Sequence, residues 1–98
     1  MNNKTTDKKP NWTFLSNHAH VILCLAQSPS IRIRDLSAQV GITERAVQRI
    51  IAKLVEEGYL EKTKEGRRNL YSICCDKPLK HSIESHKNVN DLLKLIYP

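Results

Sequence analysis

The most constraining feature of the chain is the segment 33–73, in which two helical patterns meet at a glycine and a basic hairpin pattern follows. Leu36 and Val40 are four residues apart, so they fall on one face of a short helix. Gly41 then supplies the backbone freedom that a tight turn requires. Thr43 is a favourable N-cap, because its hydroxyl can accept a hydrogen bond from an amide of the next helix. The segment predicts two helices joined by a sharp turn.

The helix after the glycine turn is predicted over 44–57 and has two chemically different faces. Its apolar stripe falls within a narrow arc at about 100° per residue, and its members are Val47, Ile50, Ile51 and Leu54. Arg45 and Arg49 lie opposite the stripe, with Gln48 on its flank. Arginine can pair bidentately with guanine and glutamine with adenine, and the second helix of a helix-turn-helix contacts bases through its first turns. A merely solvated face is the alternative, but the position directly after the turn favours DNA contact.

The residues after this helix predict a basic β-hairpin. Gly58 can end the helix in a left-handed conformation, and 60–65 and 69–73 have the composition of two paired strands. The tip is formed by Gly66, Arg67 and Arg68, and Lys62 and Lys64 add positive charge that Glu61 and Glu65 partly offset. Taken by itself, a Gly-Arg-Arg turn indicates only a solvent-exposed loop with no particular function. Its position behind the second helix indicates contact with phosphate or with the minor groove.

The flanking segments predict scaffold and partner surfaces. The polar segment 1–11 is expected to be a flexible tail, and a first helix is predicted over 12–27, with Ser16 or Asn17 as its cap. This helix is apolar around most of its circumference, so it needs cover on more than one side, which a second subunit could supply. The residues 31–33 alternate apolar and basic side chains and predict a short strand that pairs with the hairpin.

The C-terminal segment, 79–98, is predicted to contain a last helix capped by Asn88, with Asp91 at its third position. Its apolar stripe follows the helical spacing i, i+3, i+4, i+7 and consists of Val89, Leu92, Leu93 and Ile96. So short a stripe at the end of a chain needs something to lie against, either the first helix of the same subunit or that of a second one. The segment is therefore a predicted dimerisation element.

Over about 17–73 the chain resembles the winged-helix transcription regulators of MarR-like or ArsR-like type. The most specific part of the resemblance is GITERAVQRIIAKLVEEGYLEKTKEGRRNLYSI, which begins at Gly41. The resemblance implies a homodimer formed by terminal helices, binding to a pseudo-palindromic operator and control through the dimer interface. The sequence is shorter than that of a typical MarR-like protein, and the pattern of that family's long terminal helices is not found in it. It also has no cysteine or histidine in 41–45, where many ArsR-like proteins carry a metal motif.

Composition is consistent with this interpretation. The chain has 98 residues, a formal net charge of +6 and three cysteines, which favours polyanionic partners and a reducing, cytoplasmic location. No apolar run is long enough for a membrane span or a signal peptide. Phosphate-binding, dinucleotide-binding and zinc-protease motifs are absent, so neither an enzyme nor a cofactor is expected. Cys74 and Cys75 are adjacent, which is poor geometry for a shared metal or a disulfide.

We therefore predict one mainly α domain with a small β-hairpin wing (α+β), a winged helix-turn-helix over 12–78 with about four helices and a two- to three-stranded antiparallel sheet. The predicted function is that of a sequence-specific regulator binding double-stranded DNA as a homodimer. The alternatives are a protein-interaction module and a cysteine-based metal or redox sensor. No metal site is predicted, and the sequence identifies no effector. The predicted DNA-binding residues are Thr43, Glu44, Arg45, Gln48, Arg49, Lys53, Lys62, Lys64, Arg67 and Arg68.

Overall fold

The structure, a computed structural model, describes residues 10–98, so the predicted flexible tail lies, apart from its last two residues, outside the described range. Within this range the elements in chain order are α1 (Asn17–Gln27), α2 (Ile33–Val40), α3 (Glu44–Glu56), β1 (Leu60–Glu65), β2 (Arg68–Ile73) and α4 (Val89–Ile96). The predicted winged helix-turn-helix, four helices with a hairpin wing, is confirmed. None of the helices described over 10–98 has the length and apolarity needed to cross a membrane.

The first helix begins later than predicted. α1 starts at Asn17 because Ser16 has extended backbone angles and its side-chain oxygen accepts the Ala19 N–H at 3.2 Å. A residue that caps in this way ends the helical backbone on its N-terminal side. The prediction of a helix from Trp12 was therefore wrong, whereas Ser16 is confirmed as one of the two predicted caps.

The corner between α2 and α3 is built as the sequence predicts. Gly41 has a left-handed φ of 85° and its N–H donates to the carbonyl of Ser37 at 2.8 Å. The Thr43 hydroxyl accepts the Ala46 N–H at 3.1 Å, which caps α3. The apolar stripe of α3 is buried over its whole length, at Val47, Ile50, Ile51 and Leu54. Burial of this stripe fixes which face of α3 remains in solvent.

The sheet has two strands within the described residues. β1 and β2 pair antiparallel from Leu60 opposite Ile73 to Glu65 opposite Arg68, and Gly66, with φ 65°, is the first residue of the two-residue turn, as in a type II′ hairpin. The predicted strand over 31–33 is wrong. Ile33 belongs to α2, because Ile33, Leu36 and Val40 share the helical spacing i, i+3, i+7, which outweighs a three-residue alternation.

The core lies between α1, α2, α3 and the sheet, and α4 completes it from the C-terminal side. Asn88 and Asp91 form the predicted capping box at the start of α4, and Val89 is 1% exposed in the same apolar cluster as Leu36 and Val47. α4 packs against α1 of its own chain, where the Tyr97 hydroxyl donates to the carbonyl of Leu23 at 3.1 Å.

Candidate nucleic-acid interface

The outward face of α3 is polar, exposed and positively charged over its first two turns. Arg45, Gln48 and Arg49 are all exposed, and the small side chain of Ala52 continues the same face. Neither guanidinium group forms an ion pair or a hydrogen bond with another residue in the described range, 10–98. Both guanidinium groups can therefore take a ligand without first giving up an internal partner.

The C-terminal end of α3 has a different electrostatic character. Lys53 Nζ lies 3.9 Å from a carboxylate oxygen of Glu56 and 3.5 Å from one of Glu57. Lys80 donates to Glu57 as well, and this hydrogen bond, helped by the charges of Lys80 and Lys53, lowers the pKa of the Glu57 carboxyl. The same contact raises the pKa of the Lys80 amine. Lys53, predicted as a DNA-binding residue, thus lies among carboxylates. The unpaired positive charge of the helix is carried by Arg45 and Arg49, in the two turns that follow Thr43 and Glu44.

The hairpin separates its charges by face. Side chains alternate along a strand, and residues paired across strands share a face. Lys62 and Lys64 are therefore on the face that also carries the buried Leu60 and Tyr71. Glu61, Thr63 and Glu65 are on the other face. The sequence alone shows a mixed-charge strand, whereas the pairing register gives a basic face and an acidic one.

A groove runs between the basic face of the hairpin and the exposed side of α3. Gln48, Ala52 and Glu56 line it from the helix beside the apolar Ile51 and Val55, and Lys62, Asn69 and Tyr71 line it from the sheet. Burial raises the pKa of the Tyr71 hydroxyl, which keeps this phenol neutral. Asn69 was missed by sequence reasoning. Asn69 pairs with Lys64 across the hairpin, which places its side chain on the face that borders the groove. The position of the two-residue turn sets this pairing, so the turn is the sequence signal that could have identified Asn69.

The two arginines of the hairpin tip have different surroundings. Arg67 occupies the second turn position, is exposed, and has no hydrogen bond or ion pair to the rest of residues 10–98. Arg68 is the first residue of β2, and its Nη1 donates to the carbonyl oxygen of Ser30 at 2.6 Å. The predicted site residues therefore fall into four groups. Gln48 and Lys62 line the groove, whereas Thr43, Glu44, Arg45 and Arg49 lie at the start and on the first two turns of α3. Lys64 and Arg67 lie farther along the hairpin, and Lys53 and Arg68 contact other residues of the protein.

The end of the molecule formed by α1 and α4 presents apolar side chains. The rings of Trp12 and Phe14 meet edge to face at 4.8 Å between centroids, and Phe14 is 91% exposed. Leu95 on α4 is 72% exposed, and Ile83 in the preceding segment is also exposed. Large apolar side chains left exposed in this way are available for contact with another protein.

The described side chains bring no metal-ligating cluster together. Within residues 10–98, no three His, Cys, Asp or Glu side chains lie close enough to share a metal ion. The three cysteines are free thiols. Burial raises the pKa of the Cys24 thiol, which makes this group less reactive than an ordinary exposed cysteine.

Two helices meeting at a glycine corner, the second of them capped by Thr43, and a basic hairpin behind them define a winged helix-turn-helix protein. Comparison with protein families gives the finer assignment: the model of the MarR family matches residues 16–67, more than half of the chain. The chain belongs to the MarR family, whose members are transcriptional regulators. Of the two families that the sequence resembles, MarR is the one confirmed. No curated protein sequence gives a match.

Solved structures share the fold. The crystal structure of the predicted DNA-binding transcriptional regulator from E. coli is similar with a TM-score of 0.56 at 22% identity, covering 81% of this chain and 72% of that one. The PcaV transcriptional regulator from Streptomyces coelicolor, in complex with its natural ligand, is similar with a TM-score of 0.55 at 20% identity, covering 84% of this chain. The chain spans 60% of the length of PcaV. At these identities the likeness shows the fold alone.

Proposed function

We propose that the protein is a sequence-specific regulator that binds double-stranded DNA as a homodimer. One observation carries the proposal. Arg45, Gln48 and Arg49 stand unpaired and exposed on the first two turns of α3, while the opposite side of the helix is locked into the core. A helix held in this way can enter the major groove, where its first turns meet the base edges.

Base reading is assigned to the three exposed side chains of α3. Arg45 and Arg49 are suited to the O6 and N7 acceptors of guanine, and Gln48 to the N6 and N7 atoms of adenine. Thr43 and Glu44 lie at the entry to the helix, close to the path of the phosphate backbone. Ala52 is exposed on the same side and has no side chain beyond Cβ, so it does not hold the helix away from the bases.

Phosphate neutralisation is assigned to the hairpin. Lys62 and Lys64 share the face that borders the groove, and Arg67 projects from the tip. Backbone contacts of this kind set register and orientation without reading sequence. If a dimer neutralises roughly six to ten phosphates, affinity falls on the order of a thousandfold or more between 50 and 200 mM salt.

A second copy of the chain is the proposed partner of the exposed apolar side chains on and near α1 and α4. The exposed apolar residues there are Trp12, Phe14, Ile83 and Leu95. An inverted-repeat operator follows from a two-fold dimer, because each reading helix then meets the same bases in opposite directions.

Selection of bound duplexes from a random pool tests the proposal. The expected product is an inverted repeat whose half-sites are about 10 base pairs, or a multiple of that, apart. The pool is selected in parallel with the variant Arg45→Ala/Arg49→Ala, which keeps the hairpin lysines but should enrich no motif. Failure of the native protein to enrich any sequence, together with salt-insensitive capture of a protein partner, would favour the interaction-module alternative.

A further inference from the structure

We propose that Arg68 is a positioning residue that braces the wing against the turn between α1 and α2, and that it is not a phosphate ligand. The proposal rests on the proposed DNA binding and divides the two tip arginines by role. Arg67 meets the nucleic acid, whereas Arg68 sets the angle at which the hairpin presents it.

The first observation is the contact itself. Nη1 of Arg68 donates to the carbonyl oxygen of Ser30 at 2.6 Å, across 38 positions of the chain. A hydrogen bond from a charged group to a carbonyl is stronger than a neutral one. The acceptor is backbone in a turn directly before α2, so it has a fixed position that a flexible side-chain acceptor would lack.

The second observation is the face on which Arg68 lies. Arg68 pairs with Glu65, and Lys62 pairs with Tyr71 three positions farther along β2. Alternation therefore places Arg68 on the acidic face with Glu61 and Glu65, away from Lys62 and Lys64 on the other face. A side chain on that face would have to cross the hairpin to meet the phosphates that Lys62 and Lys64 meet.

The third observation is that the same turn holds β2 at a second point. The backbone N–H of Tyr71 donates to the carbonyl of Pro29 at 3.1 Å. These two bonds join β2 to adjacent residues of one turn, one through the side chain of its first residue and the other through the backbone midway along the strand. Two points of attachment fix the tilt of a ribbon, whereas one would leave it free to pivot.

Amide hydrogen exchange at Tyr71 in the DNA-free full-length protein tests the brace. Losing a charge-assisted bond of this kind should speed exchange at Tyr71 about tenfold in Arg68→Ala. Arg68→Lys keeps the charge but has neither the reach nor the fork of a guanidinium, so it should show most of the same effect. The matched variants Arg67→Ala and Arg67→Lys should leave exchange at Tyr71 unchanged. Ser30→Ala retains the carbonyl and should also be silent.

DNA binding supplies the second readout. Arg67→Ala should lower the dependence of log affinity on log salt by about 0.9 per protomer, the value for one lost phosphate contact. Arg68→Ala should weaken binding while leaving that slope unchanged, and Arg68→Lys should not restore affinity.

Unchanged exchange at Tyr71 in both Arg68 variants, or a salt slope that falls in Arg68→Ala as it does in Arg67→Ala, overturns the proposal. If the native protein binds no DNA, the proposed function fails, and the exchange data still decide whether Arg68 braces the wing.

Discussion

Helices α3 and α4 are both amphipathic and both capped by a side chain, but the rest of the chain buries the apolar stripe of α3 far more completely than that of α4. All four stripe residues of α3 are buried, and its other side is free and charged. In α4 only Val89 is buried, Leu93 is half-buried, and Ile96 and Leu95 are 42% and 72% exposed. The packing of α3 is completed by its own chain, and its free side suits a polar ligand. That of α4 is incomplete, and its free side suits another apolar surface.

The largest expected effect comes from truncating one leucine in each helix. Leu54→Ala opens a cavity in the core and should lower the free energy of unfolding by about 2–5 kcal/mol. Leu95→Ala removes an exposed side chain and should change the stability of the separate subunit by less than about 0.5 kcal/mol. Denaturant unfolding at low protein concentration measures both.

Analytical sedimentation tests whether the exposed apolar side of α4 contributes to self-association, which Leu95→Ala should then weaken. Equal loss of stability in the two variants would contradict the difference drawn between α3 and α4. A dimer of unchanged strength in Leu95→Ala would remove α4 from the proposed interface.

The next effect concerns the free side of α3. Arg49→Ala should weaken binding to the selected DNA by about 1–3 kcal/mol and relax the base preference at one position of each half-site. Arg67→Ala is the matched control, because it should weaken all sequences alike. Competition binding with single-base variants of the site measures the preference, and an unaltered preference in Arg49→Ala would show that α3 does not read bases there.

The two caps give a smaller contrast. Thr43→Ala and Asn88→Ala each remove a side-chain acceptor for helix N–H groups and should each cost about 1 kcal/mol of helix stability. Because α3 is part of the core, the loss in Thr43→Ala should appear in global unfolding. Asn88→Ala should instead speed amide exchange within α4, with less change in the global transition. A global loss of the same size in both variants would mean that α4 is as tightly integrated as α3.

The smallest effect is a pH dependence at the end of α3. The hydrogen bond from Lys80 lowers the pKa of Glu57 below the ordinary value of 4.5. The stabilisation is therefore fully present above the unfolded pKa and is lost as the pH falls through the folded one. The difference in melting temperature between the native protein and Glu57→Gln should shrink as the pH is lowered through this range. A difference that stays constant down to pH values where carboxylates are protonated would exclude this linkage.

Local patterns were enough to predict most of the fold. The Thr43 cap, the Gly41 corner, the α3 stripe and the Asn88 capping box depend on residues within a few positions of one another, so spacing reveals them. The late start of α1 follows from the Ser16 cap, which the sequence also indicates, whereas the absent strand over 31–33 was harder to predict because two local patterns competed there. At Ile33, the spacing to Leu36 outweighed a three-residue alternation.

The sequence was enough to predict which types of residue belong to the candidate site, but not how their side chains are positioned relative to one another. The exposed face of α3 follows from its buried stripe. The division of charge across the hairpin and the place of Asn69 require the register of the two strands. The contact of Arg68 with Ser30 joins residues 38 positions apart, and no spacing rule connects them.

The charge division across the hairpin has a kinetic consequence. A ribbon with lysines on one side and glutamates on the other is a transverse dipole, and a polyanion attracts one side of it while repelling the other. The resulting torque orients the protein toward the polyanion before the two are in contact. It acts over a separation of about 10 Å, the screening length at 0.1 M salt. Exchanging Glu61 and Lys62 would keep the net charge but leave one lysine and one glutamate on each side, so most of the torque would be lost and neither side would be favoured in an encounter.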